Sequence, residues 1–367
     1  MAKLFIPGPT DVNPDVLRAQ TNPMVGHRSQ EFQDLYARIQ PRLQQAFKTE
    51  RRVYIAASSG SGLWEGAMRS LVRDRLLLCV CGAFGQRWAD VAQSNGLAFD
   101  QLDVEWGEPN LPEQVVSALA MQQYDTLAVV HNETSTGIEN PVSDIVKAAR
   151  ESQPELIVMV DAVSSAAGVQ IPTDEWGLDA VVTSSQKCFA LPPGLAMAAV
   201  SDRALERAAQ VSNRGWYFDL PLLEKYHQRN FTPATPAISL LHALDFQLDR
   251  ILSEGLEARE KRHEAMASLV QSWAQENFAL FAAEGHRSRT VTAIRNTQEM
   301  DVPALNTRLA EFDMTLANGY GPLKNKTFRI GHMGETQPSD IEELLGHIDD
   351  FLAMQAITFP SGQHSSK

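Results

Sequence analysis

Apolar residues along the chain fall into two textures. Over the first two thirds, short and nearly continuous apolar runs occur at 53–57, 76–81, 126–131, 156–160, 180–183 and 196–200. Runs of that length and density are expected of strands covered on both faces. Between them lie longer stretches of helical period. Trp64, Ala67, Met68, Leu71 and Val72 follow the i, i+3, i+4, i+7, i+8 pattern, and Phe32, Leu35, Tyr36, Ile39, Leu43 and Phe47 do the same earlier in the chain. The alternation predicts an α/β fold built on a mostly parallel, doubly wound sheet.

After residue 236 the pattern changes. Ile238, Leu241, Leu244, Leu248, Ile251 and Leu252 form a long helical stripe that ends at Gly255, and Met266, Leu269, Val270 and Trp273 mark a second helix. Shorter strand-like pieces follow at 290–294, 314–317 and 327–330. A last helix is expected to open at Ser339, with Glu342 completing a capping box. This part reads as a smaller α+β domain, and the polar tail from Ile357 reads as disordered. No internal repeat is present.

Composition narrows the possible partners. The chain has 367 residues and a formal net charge of −13, with no basic run to offset it. Such a surface repels nucleic acid and anionic membranes. The apolar stretch in MAKLFIPGPTDV is short and is interrupted by Pro7 and Pro9. No window approaches the roughly 20 apolar residues that span a bilayer. A soluble, cytoplasmic protein is expected. The chain has three cysteines, Cys79, Cys81 and Cys188; the spacing of Cys79 and Cys81 suits neither a zinc knuckle nor a redox pair, so buried thiols and no metal are expected.

The candidate chemistry collects at the strand ends. Five successive runs close on polar or glycine-rich clusters: SSGSG at 58–62, GAFGQR at 82–87, HNETSTG at 131–137, DAVSS at 161–165 and TSSQK at 183–187. Ligands of open α/β sheets bind at the carboxyl ends of the strands. The first cluster leads into the Trp64 helix. Backbone N–H groups there, with the Ser59 and Ser61 hydroxyls, suit a small phosphate, and a serine-rich helix cap is the other reading. Asp161 ends the run LIVMV, either as a helix cap or as partner of a protonated ring nitrogen. At ~3 Å and an effective dielectric near 20, that second pairing is worth roughly 5 kcal/mol before desolvation. Lys187 follows a buried strand and precedes Phe189, Leu191, Pro192 and Pro193. It reads either as a salt-bridged or snorkelling lysine or as an amine nucleophile with a depressed pKa. Phe84 reads either as an apolar plug or as an aromatic lid on a flat ring.

Taken together, these segments resemble the class V aminotransferases of the alanine/serine–glyoxylate group, which are fold type I pyridoxal-phosphate enzymes. The resemblance covers nearly the whole chain. It includes IPGPTDV at 6–12, PMVGHRSQEF at 23–32, NETSTG at 132–137, VDAVSS at 160–165, TSSQKCFALPPG at 183–194, FTPATPAISL at 231–240 and FRIGHMG at 328–334. It implies a large domain over 21–250 with a seven-stranded type of sheet and a small C-terminal domain over 251–356. A segment over 1–20 would line the site and pack on the small domain, and 357–367 would be the tail.

The resemblance also implies roles. Lys187 forms the Schiff base with the cofactor and then shuttles the proton. Asp161 pairs with the pyridinium nitrogen. Phe84 stacks on one ring face and Val163 packs on the other. Thr134 approaches the phenolic oxygen. Ser59, Gly60, Ser61 and Gln186 hold the phosphate. Thr232 or Thr235 reaches the phosphate of a neighbouring subunit in a homodimer with shared sites. Some glyoxylate aminotransferases carry a tyrosine where this chain has Phe231, so one phosphate-directed hydroxyl is lost. Arg329 clamps the substrate carboxylate, and the Gly8 backbone lines the substrate pocket. His27 and Arg28 read as a structural ion pair or a subunit contact, not as catalytic groups.

The expected reaction is ping-pong transfer of an amino group from alanine or serine to glyoxylate or pyruvate. No second cationic cluster is evident beyond Arg329, which favours a small, uncharged side chain over aspartate, phosphoserine or ureidoglycine. Three rivals are a pyridoxal-phosphate lyase or desulfurase, a non-catalytic partner subunit, and a nucleotide-binding α/β protein. A desulfurase needs a cysteine on a mobile loop, and none of the three has that context.

Overall fold

A computed structural model describes residues 3–358. Its largest element is a seven-stranded sheet. From edge to edge the order is Val53–Ala57, Leu195–Val200, Ala180–Ser184, Ile157–Asp161, Thr126–Val130, Leu76–Val80 and Phe99–Asp103. Leu195–Val200 runs antiparallel to both of its neighbours. The remaining pairings are parallel. The mostly parallel sheet expected from the sequence is therefore present.

The near-continuous apolar runs have a direct cause. Alternate side chains of one strand enter different cores, because successive Cβ atoms point to opposite faces. Leu77, Leu127, Val129, Val158 and Val181 pack with Phe32, Leu35, Ile39 and Leu43 of the Gln30–Phe47 helix. Leu76, Leu78, Ala128, Met159 and Val182 pack with Leu63, Trp64, Met68 and Trp88 on the other side. Both faces are covered, so neither can be polar. The exception is Phe99–Asp103, which escaped the pattern. It is an edge strand of sequence FDQLD with no fully buried residue, so little apolar content is required of it.

A second sheet has the order Lys3–Phe5, Met314–Asn318, Thr327–Gly331, Val291–Arg295 and Ala279–Leu280. Its core includes Phe5, Met266, Val270, Ile294, Leu316, Phe328 and Ile341. The Ile238–Glu254 and Leu256–Asn277 helices meet at Gly255, as the broken stripe predicted. The last helix starts one residue earlier than expected, at Pro338. Its cap is not the Ser339–Glu342 box; the Asp340 carboxylate accepts the backbone N–H of Gln337 at 2.9 Å. The helix runs through Thr358, so Ile357 and Thr358 belong to it and not to a tail. The remainder of the expected tail lies outside the described residues.

Among the described residues no helix is long and apolar enough to cross a membrane. All three cysteines are free and buried, and burial pushes the Cys79 thiol up to about 12 and the Cys188 thiol up to about 11.

Candidate active site

The carboxyl ends of the parallel strands open into a cavity of about 450 Å³, a size that suits a cofactor or a small ligand. Every strand-end cluster contributes to its wall. Ser59, Gly60 and Ser61 come from the first cluster and Phe84 from the second. Thr134 comes from the third, Asp161 and Val163 from the fourth, and Gln186 and Lys187 from the fifth. Gly8 lines it from the N-terminal segment.

The Gly60–Leu71 helix presents its N-terminus here. Ser59 is the N-cap residue, yet its side chain makes no capping hydrogen bond. The serine-rich cap reading therefore fails; the Gly62 N–H donates to the Ser59 carbonyl at 3.1 Å, and the Gly60 and Ser61 N–H groups are left for an anion. A Cβ added at Gly60 would come within 2.8 Å of a Val163 methyl. Only glycine lets the helix start approach Val163 this closely.

Asp161 is buried, and burial pushes its carboxyl up to about 6. Hydrogen bonds from the Val163 backbone N–H at 2.8 Å and the Trp88 indole N–H at 2.9 Å act in the opposite direction. Asp161 is followed by a turn, so it caps no helix.

Lys187 is also buried, and burial brings its amine down to about 8, with the cation of Arg329 adding to the effect. The amine donates to the Pro7 carbonyl. No carboxylate pairs with it among the described residues, so it is not a salt-bridged lysine. The N-terminal strap also ties to this loop through Thr10, whose backbone N–H donates to the Gln186 carbonyl at 3.1 Å.

The donor set fits pyridoxal phosphate. Ser184 Oγ and Gln186 Oε1 line the cavity, are buried, and have no hydrogen-bond partner. Buried polar atoms are nearly always paired, so two orphans on one wall point to a polar ligand. With the helix N-terminus, the Ser184 hydroxyl and the side-chain NH2 of Gln186 could donate to a phosphate, Asp161 could hold a protonated ring nitrogen, and Lys187 an aldehyde carbon.

Arg329 sits beside this cavity without belonging to its wall. It is buried in the Thr327–Gly331 strand, and burial lowers its guanidinium to about 10. It donates to the carbonyls of Thr134 at 3.3 Å and of Asn318 at 3.1 and 3.2 Å. A surface ion pair is thus excluded. Its guanidinium carbon lies 5.5 Å from the centre of the Tyr320 ring, which does line the cavity.

Thr232 and Thr235 are not brought to this cavity. They line a separate small depression with Tyr217 and Ala57. The Thr232 hydroxyl donates to the Ala234 carbonyl at 2.8 Å. Phe231 stacks on Phe32 at 6.3 Å. Arg28 is not the ion pair expected of it. It donates to the carbonyls of His27, Thr232 and Pro233, and so pins that turn.

Three groups escaped the sequence reading. Arg87, Trp88 and Tyr320 all line the cavity. Arg87 donates to the Tyr320 hydroxyl at 2.8 Å, and its guanidinium lies 4.7 Å from the Phe84 ring centre. It has no carboxylate partner among the described residues. Arg87 is a single cation in the wall and not a second cluster, and the sequence reading did not single it out. Phe84, Arg87 and Trp88 stand at i, i+3 and i+4 of the Ala83–Ser94 helix, and that spacing is the signal that points to the pair. Tyr320 precedes a short 3-10 turn and carries no comparable signal.

Residues 16–320 match the family model described as aminotransferase class-V. The chain is 35% identical over 346 residues to a serine–glyoxylate aminotransferase of Hyphomicrobium methylovorum, covering 90% of this chain and 84% of that one. It is 32% identical over 346 residues to an L-aspartate–glyoxylate aminotransferase of Paracoccus denitrificans, covering 90% and 86%. Among solved structures, an alanine–glyoxylate aminotransferase from Nostoc sp. superposes with a TM-score of 0.90 at 30% identity, covering 96% and 95%. The chain belongs to the class-V aminotransferases, pyridoxal-phosphate-dependent transaminases of fold type I.

Proposed function

We propose that this transaminase moves an amino group from a small amino acid, alanine or serine, to glyoxylate or pyruvate by a ping-pong route. The observation that carries this reading is the convergence of the Lys187 amine, Asp161 and the uncapped start of the Gly60–Leu71 helix on one cavity, with Arg329 beside it. Pyridoxal phosphate supplies an electron sink that stabilises negative charge at the substrate Cα.

The chain's own residues supply the rest. Lys187 would hold the cofactor through its aldehyde carbon, and its amine, once free, would move the proton away from the substrate Cα and back on the cofactor side. Its depressed pKa suits both tasks. Asp161 would keep the ring nitrogen protonated. Phe84 and Val163 would hold the ring, and Thr134 would meet its phenolic oxygen. Ser59, Gly60, Ser61 and Gln186 would bind the phosphate. Arg329 takes the substrate carboxylate through a charge-assisted pair, and the Gly8 backbone limits the pocket beside Lys187. Thr232 or Thr235 serves the site of a second copy in a cytoplasmic homodimer. The division into 1–20, 21–250 and 251–356 belongs to the same reading.

Arg87 favours a second reading, in which the donor is aspartate and the guanidinium, which has no carboxylate partner among the described residues, meets its side-chain carboxylate. A half-reaction panel decides between them. Each candidate amino acid is added to the cofactor-loaded protein, and loss of its visible absorbance is followed. Each keto acid is then tested for restoring it. Alanine or serine as the fastest donor, with glyoxylate or pyruvate restoring the signal, supports the first reading. Aspartate faster than both, with an Arg87→Leu variant losing that preference, supports the second.

A further inference from the structure

The reading above leaves Trp88 without a task, although it is among the largest buried side chains of the protein. Its indole N–H donates to Oδ2 of Asp161 at 2.9 Å. The other carboxylate oxygen, Oδ1, accepts the Val163 backbone N–H at 2.8 Å. Each oxygen thus has its own donor, and the plane of the carboxylate is fixed. Trp88 is itself held, since its ring centre lies 4.7 Å from that of Trp64. The helix that presents Trp88 also presents Phe84 one turn earlier. The Ala83–Ser94 helix therefore sets both the aromatic lid and the carboxylate.

We propose that Trp88 is a positioning residue of the transamination, whose indole N–H keeps Asp161 ionised and aimed into the cavity. This rests on Asp161 being the partner of the cofactor's ring nitrogen. A hydrogen bond to a charged group favours the charged form. Burial favours the neutral acid at this position, so the donor has something to oppose. Two other charges face Asp161: Lys187, which favours ionisation, and Glu133, which disfavours it. Neither donates a hydrogen bond to it. Trp88 and Val163 do, and Val163 does so through its backbone. Trp88 is thus the side chain through which this carboxylate can be tuned.

The test is Trp88→Phe in the full-length, cofactor-loaded protein, with Trp88→His as the variant that keeps a ring N–H. Phe keeps an aromatic ring on the Trp64 side and removes the N–H donor together with part of the ring volume, so Trp88→His, smaller still but with an N–H, separates the donor from the volume. Three quantities are read: the dissociation constant of pyridoxal phosphate by absorbance titration, the acid limb of the kcat/KM profile, and kcat against KM. We expect Trp88→Phe to weaken cofactor binding and lower kcat by ~10- to 100-fold, the range for a hydrogen bond to a charged group. Its acid limb moves to higher pH, the donor KM stays near that of the wild type, and Trp88→His recovers part of the loss.

An unchanged acid limb and unchanged cofactor affinity in Trp88→Phe would overturn the proposal while leaving the aminotransferase reading intact. A wild-type chain that takes up no pyridoxal phosphate would overturn both. If Trp88→Phe does not fold, the six tryptophan indole N–H resonances of the wild type are compared with those of Asp161→Asn. One downfield resonance moving upfield supports the bond, and none moving overturns it.

Discussion

The Thr10 hydroxyl donates to the Lys187 carbonyl at 3.0 Å, across 177 positions of sequence. The contact joins the N-terminal strap to the lysine proposed to carry the chemistry. Gly8 lies in the same strap with φ of +98°, and a Cβ there would fall 2.6 to 2.9 Å from the last three atoms of the Lys187 side chain. The strap is a wall shaped around the lysine.

Gly8→Ala therefore acts on Lys187 more than on the fold. The far end of a flexible side chain can move aside, so the clash displaces the amine, while the positive φ adds a modest strain of about 1 kcal/mol. The expected outcome is a folded protein that captures pyridoxal phosphate at least tenfold more slowly, seen by stopped-flow absorbance. Wild-type capture rates in Gly8→Ala would show that the strap does not constrain the amine.

Capture should also report the Lys187 pKa. The neutral amine is the nucleophile, and its pKa is brought down to about 8. The rate should rise with pH below about 8 and level off above it. An amine of ordinary pKa would keep gaining up to about pH 10. Lys187→Ala should abolish borohydride trapping of the cofactor and lower transamination by ~10²- to 10⁴-fold, the usual contribution of a positioned acid–base group.

Arg329→Gln should raise the KM for the amino acid by ~10- to 100-fold, the loss expected for a charge-assisted pair. Cofactor affinity should change little, because the guanidinium contacts carbonyls and Tyr320 and not the phosphate-binding wall. Steady-state kinetics with separate cofactor titration separates the two. An unchanged KM would remove Arg329 from substrate binding.

Glu133 tests how the aromatic lid is held. Its carboxylate is fully buried; Oε2 accepts the backbone N–H groups of Phe84 and Gly85, each at 3.0 Å. Oε1 accepts the Ser135 backbone N–H at 3.0 Å and its hydroxyl at 2.6 Å. Glu133→Ala strands the start of the Phe84 helix, and each orphaned buried donor costs about 1–3 kcal/mol. We expect a loss of ~2–5 kcal/mol in urea unfolding and weaker cofactor binding. A variant of full stability would mean that water replaces the carboxylate.

The sheet was legible because burial on both faces leaves an unmistakable apolar run. The site was legible where polar residues stand at the ends of those runs, as Asp161, Lys187 and the Ser59–Gly60–Ser61 turn do. Phe99–Asp103 was not, since an edge strand needs no such run. Trp88 was hidden for another reason. An indole beside apolar neighbours reads as core, and its bond to Asp161 arises only when a helix start and a strand end 73 positions apart meet. Tyr320 reaches the cavity from the other sheet's connections, which no local pattern foretells. Arg87 was visible in GAFGQR but had no partner to give it meaning until Tyr320 was placed.

The pairing of Lys3 with Met314 has a consequence for biosynthesis. The strap's strand emerges early and must wait for Met314–Asn318 before it has an edge to join. Closing so long a loop costs entropy before any contact compensates it, so this pairing forms late. A nascent chain that has just completed the seven-stranded sheet already carries Asp161, Lys187 and the Ser59–Gly60–Ser61 turn. It lacks the wall that Gly8 supplies and the support of Arg329. Assembly order thus gives a chain in which the proposed cofactor-holding residues come together before the proposed substrate-selecting ones.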